Sequence, residues 1–336
     1  MDINKQPLIK KKAFKLQDIL KVFLALVLFV FVVSKTDLRA LFDLRNHVLF
    51  SWIIVGAGLF LIKTALKALQ YYLFLKSDIH YLQMLNIVVI QNIVSNFVAT
   101  GAGIASFFAL SRVERGVKIS RSGTAFILTK IGDITAIWIF LLVSSILVWK
   151  QIVSLQGFVI GVLLTIGIAL LIVFLSILLR QKFSVQLRKW LEKFKLGNIK
   201  YIRLGLDILD EVVQQEEVFR LRLLGLAMLY SLAFLLATMG WSYVAIRAFD
   251  VQIGMVEVIF VNVFIQLLAN IPIQVYGGLG VNEGTSLYLY QFFFAGSQEL
   301  ASALIGIRIL VYLMNLITLL YLPAHKFFSL RKSDNI

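Results

Sequence analysis

The sequence predicts an all-α polytopic membrane protein of about eight membrane segments, two of them interrupted or re-entrant helical hairpins in an inverted repeat. Three observations carry this expectation. Apolar runs longer than the roughly 20 residues needed to cross about 30 Å of hydrocarbon recur along the chain, 60% of which is hydrophobic at a mean hydropathy of +0.89. Lys and Arg gather at the ends of those runs, as cytoplasmic loops require. Two runs are interrupted by small and polar residues, "NFVATGAGIAS" and "IPIQVYGGLGVNEG". Residues 152–179 carry no charge, and none of the runs alternates as a transmembrane strand does.

The amino terminus, with Lys5, Lys10, Lys11, Lys12, Lys15 and Lys21, is expected in the cytoplasm, and the apolar run that follows is too long for a signal peptide. Span one (about 19–35) then leads outward and span two (about 48–75) returns to Lys76. Residues 82–110 are followed by Arg112, Arg115, Lys118 and Arg121, so both ends of this stretch are read as cytoplasmic and the helix is expected to break and come back. Spans at about 122–149 and 152–179 lead into a second basic region, about 181–221, which reads equally as a helix on the inner leaflet or as a solvated linker. A span at about 223–247 exits, residues 255–296 enter from outside and return, and about 300–322 brings the carboxyl terminus to the cytoplasm. Tyr71, Tyr72, Tyr288, Tyr290 and Trp241 lie near these ends and are expected in interfacial belts.

Composition excludes several kinds of chemistry. Cysteine is absent and the three histidines, His47, His80 and His325, are far apart, which removes the usual ligands of a zinc or haem centre; no metal or cofactor is expected. The net charge of +15 reflects topology, with no separate basic domain to bind nucleic acid. No GxxxxGK[ST] loop is present for ATP.

Aligning Asn96 with Asn270 superposes the two breaks, Gly103 falling on Gly277, and the flanking spans of the two halves then run in opposite directions. Paired interrupted helices of that kind form binding sites in transporters. Gly277, Gly278 and Gly280 permit a turn and close approach to a ligand, Pro272 removes a backbone donor, and Asn270, Gln274 and Asn282 offer hydrogen bonds. A tight extramembrane loop at "YGGLG" is the competing reading. Charges inside the spans point the same way: Lys63 and Lys67, Lys130 and Asp133, and Arg308 each cost roughly 2.5–3.5 kcal/mol at a helix centre unless partnered. Lys130 and Arg308 are read as counterparts in the two halves, Glu283 as the partner of an arginine or lysine, and Lys67 and Arg247 as snorkelling to the interface.

The "IPIQVYGGLGVNEG" motif resembles the proline-then-GGxGxxE element of the flippase-like membrane domain of lysylphosphatidylglycerol synthases and of related stand-alone membrane proteins. The stretch "NFVATGAGIASFFALSRVERGVKISRSGTAFILTKIGDI" is similar to that family's glycine-bearing segment, basic loop and charged helix. Pro272, Gly277, Gly278, Gly280 and Glu283 match position by position, and Arg308 stands where a basic residue is expected. Ala102, Ala105 and Ser106 stand where the family often has an acidic residue and an arginine, and Asn282 where arginine often precedes the glutamate.

The resemblance implies a single flippase-like domain (1–330, halves at about 48–150 and 223–322) in the inner membrane. It implies a lipid substrate, an anionic phospholipid or a polyprenyl-phosphate lipid, moved between leaflets without an enzymatic step. Substrate contacts are expected from Glu283, Arg308, Gly277, Gly278, Gly280, Asn282, Asn270, Gln274, Lys130, Asp133, Lys63 and Asn96. A homodimer and a separate lipid-modifying enzyme stand as open partners. Two other functions compete: a scaffold recruiting a partner through the basic region, and an intramembrane transferase, which would need Asp133 and Glu283 to converge.

Overall fold

A computed structural model describes residues 49–179, 221–270, 280–294 and 296–319, together with Lys189 and Gly278. Among the described residues there are nine α-helices and no β-strand. We number them α1 (Phe50–Leu75), α2 (Tyr81–Phe97), α3 (Thr100–Arg115), α4 (Ile119–Leu147), α5 (Gln156–Leu179), α6 (Leu221–Ala248), α7 (Met255–Ala269), α8 (Val281–Tyr290) and α9 (Ser297–Leu319). Five stretches are long and apolar enough to cross a membrane: Phe50–Leu75, Ile119–Leu147, Val153–Leu175, Leu223–Ala248 and Gln298–Leu319. They coincide with five of the spans expected from hydropathy, and the protein is a multi-pass membrane protein. The expected first span (19–35) and most of the basic region (181–221) lie outside the described residues.

The stretch expected to break does so between α2 and α3. Val98 ends α2, Ala99 is extended (φ −167°, ψ 150°), and α3 starts at Thr100, with the Gly103 N–H donating to the Ala99 carbonyl at 3.0 Å. The two helices pack side by side as a hairpin. Gly103 serves the hairpin's packing rather than its turn: a methyl there would stand 2.8 Å from the Gln91 carbonyl oxygen of α2. The hairpin ends at Gly116, a left-handed C-cap (φ 64°) whose N–H bonds the Arg112 carbonyl. Arg121 at the start of α4 then pairs with Asp78 at 3.0 Å, closing the loop side of the α1–α2 turn.

α1 packs along α6, and α4 packs on α6 and α7. Small residues permit these approaches, as expected where lipid supplies no hydrophobic drive between helices: Gly56 of α1 faces Val244, Gly240 of α6 faces Leu59, and Gly132 of α4 faces Ser231. Two large apolar clusters result. One joins α4, α6, α7, α8 and α9 around Leu141, Phe260 and Tyr290, and the other joins α1 to α4 around Tyr71, Phe107 and Leu128. Tyr71 (0% exposed), Tyr290 (1%) and Trp241 (7%) are therefore interior residues, not the interfacial belt expected of them; Tyr288 is exposed. Nearness to a helix end had placed them at the interface, but the face of the helix they occupy turns them into the bundle.

α5 stands apart. It packs on α4, fastened by the Trp138 indole N–H donating to the Leu163 carbonyl at 2.9 Å, and leaves most of its apolar surface outward.

The hairpin contact can be tested. Gly103→Val is expected to lower the thermal unfolding midpoint of the purified protein, overpacking of this kind costing about 1–3 kcal/mol. Gly58→Ala, whose added methyl meets nothing within 4 Å, is expected not to lower it.

Candidate functional site

Polar side chains of α1, α2, α3, α6, α7, α8 and α9 converge on a cavity of about 350 Å³ within the bundle. α8, which contributes Asn282, Glu283 and Ser286 to the wall, starts at the second break. Gly278 (φ 79°) and Gly280 (φ 80°) both occupy positive-φ backbone that other residues adopt only with strain, and Gly280 caps α8. Glu283, third in that helix, turns back so that its Oε2 accepts the Gly280 N–H at 2.7 Å. This is one half of a capping box, and the carboxylate lies favourably at the helix's positive end.

The same carboxylate is buried (6% exposed), and its Oε1 stands 3.5 Å from Arg308 Nε of α9. Arg308 donates to the Tyr312 hydroxyl at 3.2 Å, and the Tyr312 ring lies 5.0 Å from that of Phe97, the last residue of α2. Glu283 thus links the two breaks through α9. A second link runs from Lys130 of α4, whose ammonium donates to Asn270 Oδ1 at 2.8 Å; Asn270 is the C-cap of α7.

Two further intramembrane charges form a third group. Lys67 of α1 and Asp133 of α4 pair at 2.5 Å; Gln70 donates to Asp133 at 3.1 Å and to Ser231 of α6 at 2.9 Å. Lys67, expected to snorkel, instead has a side chain only 11% exposed and a partner on the neighbouring helix. Burial of the i to i+4 face of α1 against α4 and α6 keeps it from the interface. Arg247, by contrast, sits at the end of α6 bonded to Gln252.

Of the residues expected to meet substrate, Lys63, Asn96, Asn282, Glu283 and Arg308 line the cavity. Lys130, Asp133, Asn270, Gly278 and Gly280 stand behind the wall, holding the helices that form it. Gly277, Gln274 and Pro272 lie outside the described residues. Asp133 and Glu283 are each held by a different cation, Lys67 and Arg308 respectively. Sequence reading missed the neutral part of the wall: Asn92 and Ser95 of α2, Ser242, Asn262 and Gln266 opposite them, and Asn315 of α9. Their signal was present in the sequence as amides and hydroxyls inside apolar runs, which seek partners within the bundle.

The Lys67–Asp133 pair is expected to be structural. Asp133→Asn leaves Lys67 buried without a counter-ion, and a loss of about 3–5 kcal/mol is expected, read as a lowered unfolding midpoint. Adding Lys67→Met to that variant removes the orphaned charge and is expected to recover most of the loss.

Comparison with known proteins agrees with this architecture. The Lysylphosphatidylglycerol synthase TM region family matches residues 19–318, nearly the whole chain. No curated protein matches it. The chain belongs to the lysylphosphatidylglycerol synthase TM region family.

Proposed function

We propose that this protein carries an anionic lipid, a phospholipid or a polyprenyl-phosphate lipid, between the leaflets of the inner membrane. The observation that carries this reading is the cavity. Three cations, one carboxylate and a ring of amides and hydroxyls surround about 350 Å³ inside an apolar helix bundle. Charges in such a place are costly to keep and are rarely kept without a polar ligand or path. The volume lies in the range of small-molecule pockets and suits a lipid head group whose acyl chains stay in the bilayer. The family match supports a function connected with membrane lipids.

An inverted repeat relates the two halves in this proposal, and the helix contacts support it. The packing of α1 on α2 has its equivalent in α6 on α7, α2 on α3 in α7 on α8, and α3 on α4 in α8 on α9; likewise α4 packs on α6 and α7 as α9 packs on α1 and α2. The same proposal takes residues 1–330 as one domain with both termini in the cytoplasm, a reading that the Lys and Arg distribution supports. Transport is favoured over transfer because Glu283 is engaged as a helix cap and ion-pair partner rather than poised as an acid or base. A separate enzyme would make the lipid if the lipid is a modified one, and a homodimer is compatible with this reading.

The test is leaflet exchange of a fluorescent anionic phospholipid, or of a polyprenyl-phosphate probe, in liposomes holding the purified chain, followed with a membrane-impermeant quencher. Exchange by wild type is expected to fall at least about tenfold in Glu283→Gln and in Arg308→Ala, since each removes one side of the buried Glu283–Arg308 ion pair on the cavity wall. Wild-type exchange no faster than in protein-free liposomes would refute the reading. The topology has its own test, because the chain lacks cysteine. Lys118→Cys and Gln151→Cys, both at exposed positions, are expected to react with an impermeant thiol reagent from the cytoplasmic and the outer side respectively.

A further inference from the structure

The lipid-carrying reading leaves open how much charge the ligand brings, and the cavity wall answers it. Four charged side chains line the cavity: Lys63, Lys67, Glu283 and Arg308. Lys67 is answered inside the protein by Asp133 at 2.5 Å, and Arg308 by Glu283 at 3.5 Å. Lys63 is different. Among the described residues it meets no carboxylate; its Nζ rests instead 4.2 Å from the Phe60 ring centroid and 4.4 Å from that of Trp241. Two rings attract an ammonium through their quadrupoles, worth about 0.5–2 kcal/mol each, yet they carry no charge and cancel none. Among the described residues the wall therefore keeps one lysine that no carboxylate answers, held on an aromatic shelf that fixes its position.

We infer that Lys63 receives the phosphate of the transported lipid, and that the site is matched to a head group bearing one negative charge, a phosphodiester, in preference to a phosphomonoester or a pyrophosphate. This rests on the lipid-carrying reading above. A second negative charge would find no further uncommitted cation on the described wall and would have to compete with Glu283 for Arg308. The neutral groups opposite, Asn262, Gln266 and Ser286 among them, suit the hydroxyls of an uncharged remainder of the head group.

The experiment is lipid binding to the purified full chain by native mass spectrometry, with phosphatidylglycerol, phosphatidic acid and diacylglycerol as probes. Wild type is expected to bind phosphatidylglycerol at least about tenfold tighter than diacylglycerol, and phosphatidic acid no tighter than phosphatidylglycerol. Lys63→Met is expected to lose about tenfold for phosphatidylglycerol, whereas Lys63→Arg keeps the charge and stays within about threefold of wild type. Equal binding by Lys63→Met would overturn the role of Lys63, and tighter binding of phosphatidic acid would overturn the single-charge match. Should Lys63→Met fail to fold, wild type still decides the matter: phosphatidylglycerol, and not diacylglycerol, is expected to slow acylation of Lys63 by an amine reagent, and equal labelling would refute the contact. Failure of the underlying transport reading looks different, as lipid bound in the Lys63-dependent manner but not exchanged between leaflets.

Discussion

A peptide group left unpaired in hydrocarbon costs several kcal/mol, and this bundle is organised around two places where its helices stop short. At the first, the Ala99 carbonyl takes up the Gly103 N–H and α2 and α3 close on each other, which only the missing side chain of Gly103 allows. At the second, Glu283 supplies the oxygen that the Gly280 N–H needs. That solution buries a negative charge, and the charge in turn requires Arg308 from α9. Arg308 leans on Tyr312, and Tyr312 on Phe97 beside the first break. One capping interaction thus propagates through the packing of α8, α9 and α2.

The remaining charges obey the same rule. Lys67, Asp133, Gln70 and Ser231 join α1, α4 and α6 through a network in which each charge has an opposite within reach. A pair so buried adds little net stability compared with an apolar replacement, but removing one partner alone is expensive. Such networks specify which helix faces which. Lys130 and Asn270 do the same between α4 and the end of α7. The cavity is what remains where polar side chains from seven helices face one another and the bundle does not close over them. On the described cavity wall Lys63 is the cation at which pairing with a carboxylate gives way, and a lysine held on two rings is an invitation to an anion.

Much of this was legible from residue order, and the parts that were not share a cause. Helix extents followed from apolar run length, and the break near Val98 from small residues between two basic loops. The second break was legible in its glycines, two of which occupy positive φ. The burial of Tyr71, Tyr290 and Trp241 was not, nor was the pairing of Lys67, because hydropathy locates a residue along a helix and says nothing of which way it points around it. Two turns of helix separate residues that look alike in such a profile, while packing separates lipid from interior by azimuth. Asn92 of α2 and Asn262 and Gln266 of α7 were overlooked for a related reason: a single amide in an apolar run reads as an isolated polar residue until its neighbours on other helices are known.

Residue order by itself therefore determined the class of protein, the helix-forming segments, the positions of both interruptions and the presence of ionisable groups in the hydrocarbon. Each of these depends on local properties: apolar length, glycine and proline placement, and the cost of a charge in lipid. Tertiary structure decided which charges neutralise each other, which aromatic rings turn inward, and which cation is left facing the cavity. Those outcomes depend on contacts between helices far apart in the chain, Lys67 with Asp133 and Glu283 with Arg308. Only the folded bundle brings such residues within bonding distance, and only there does a lysine left without a carboxylate on the described wall become a site.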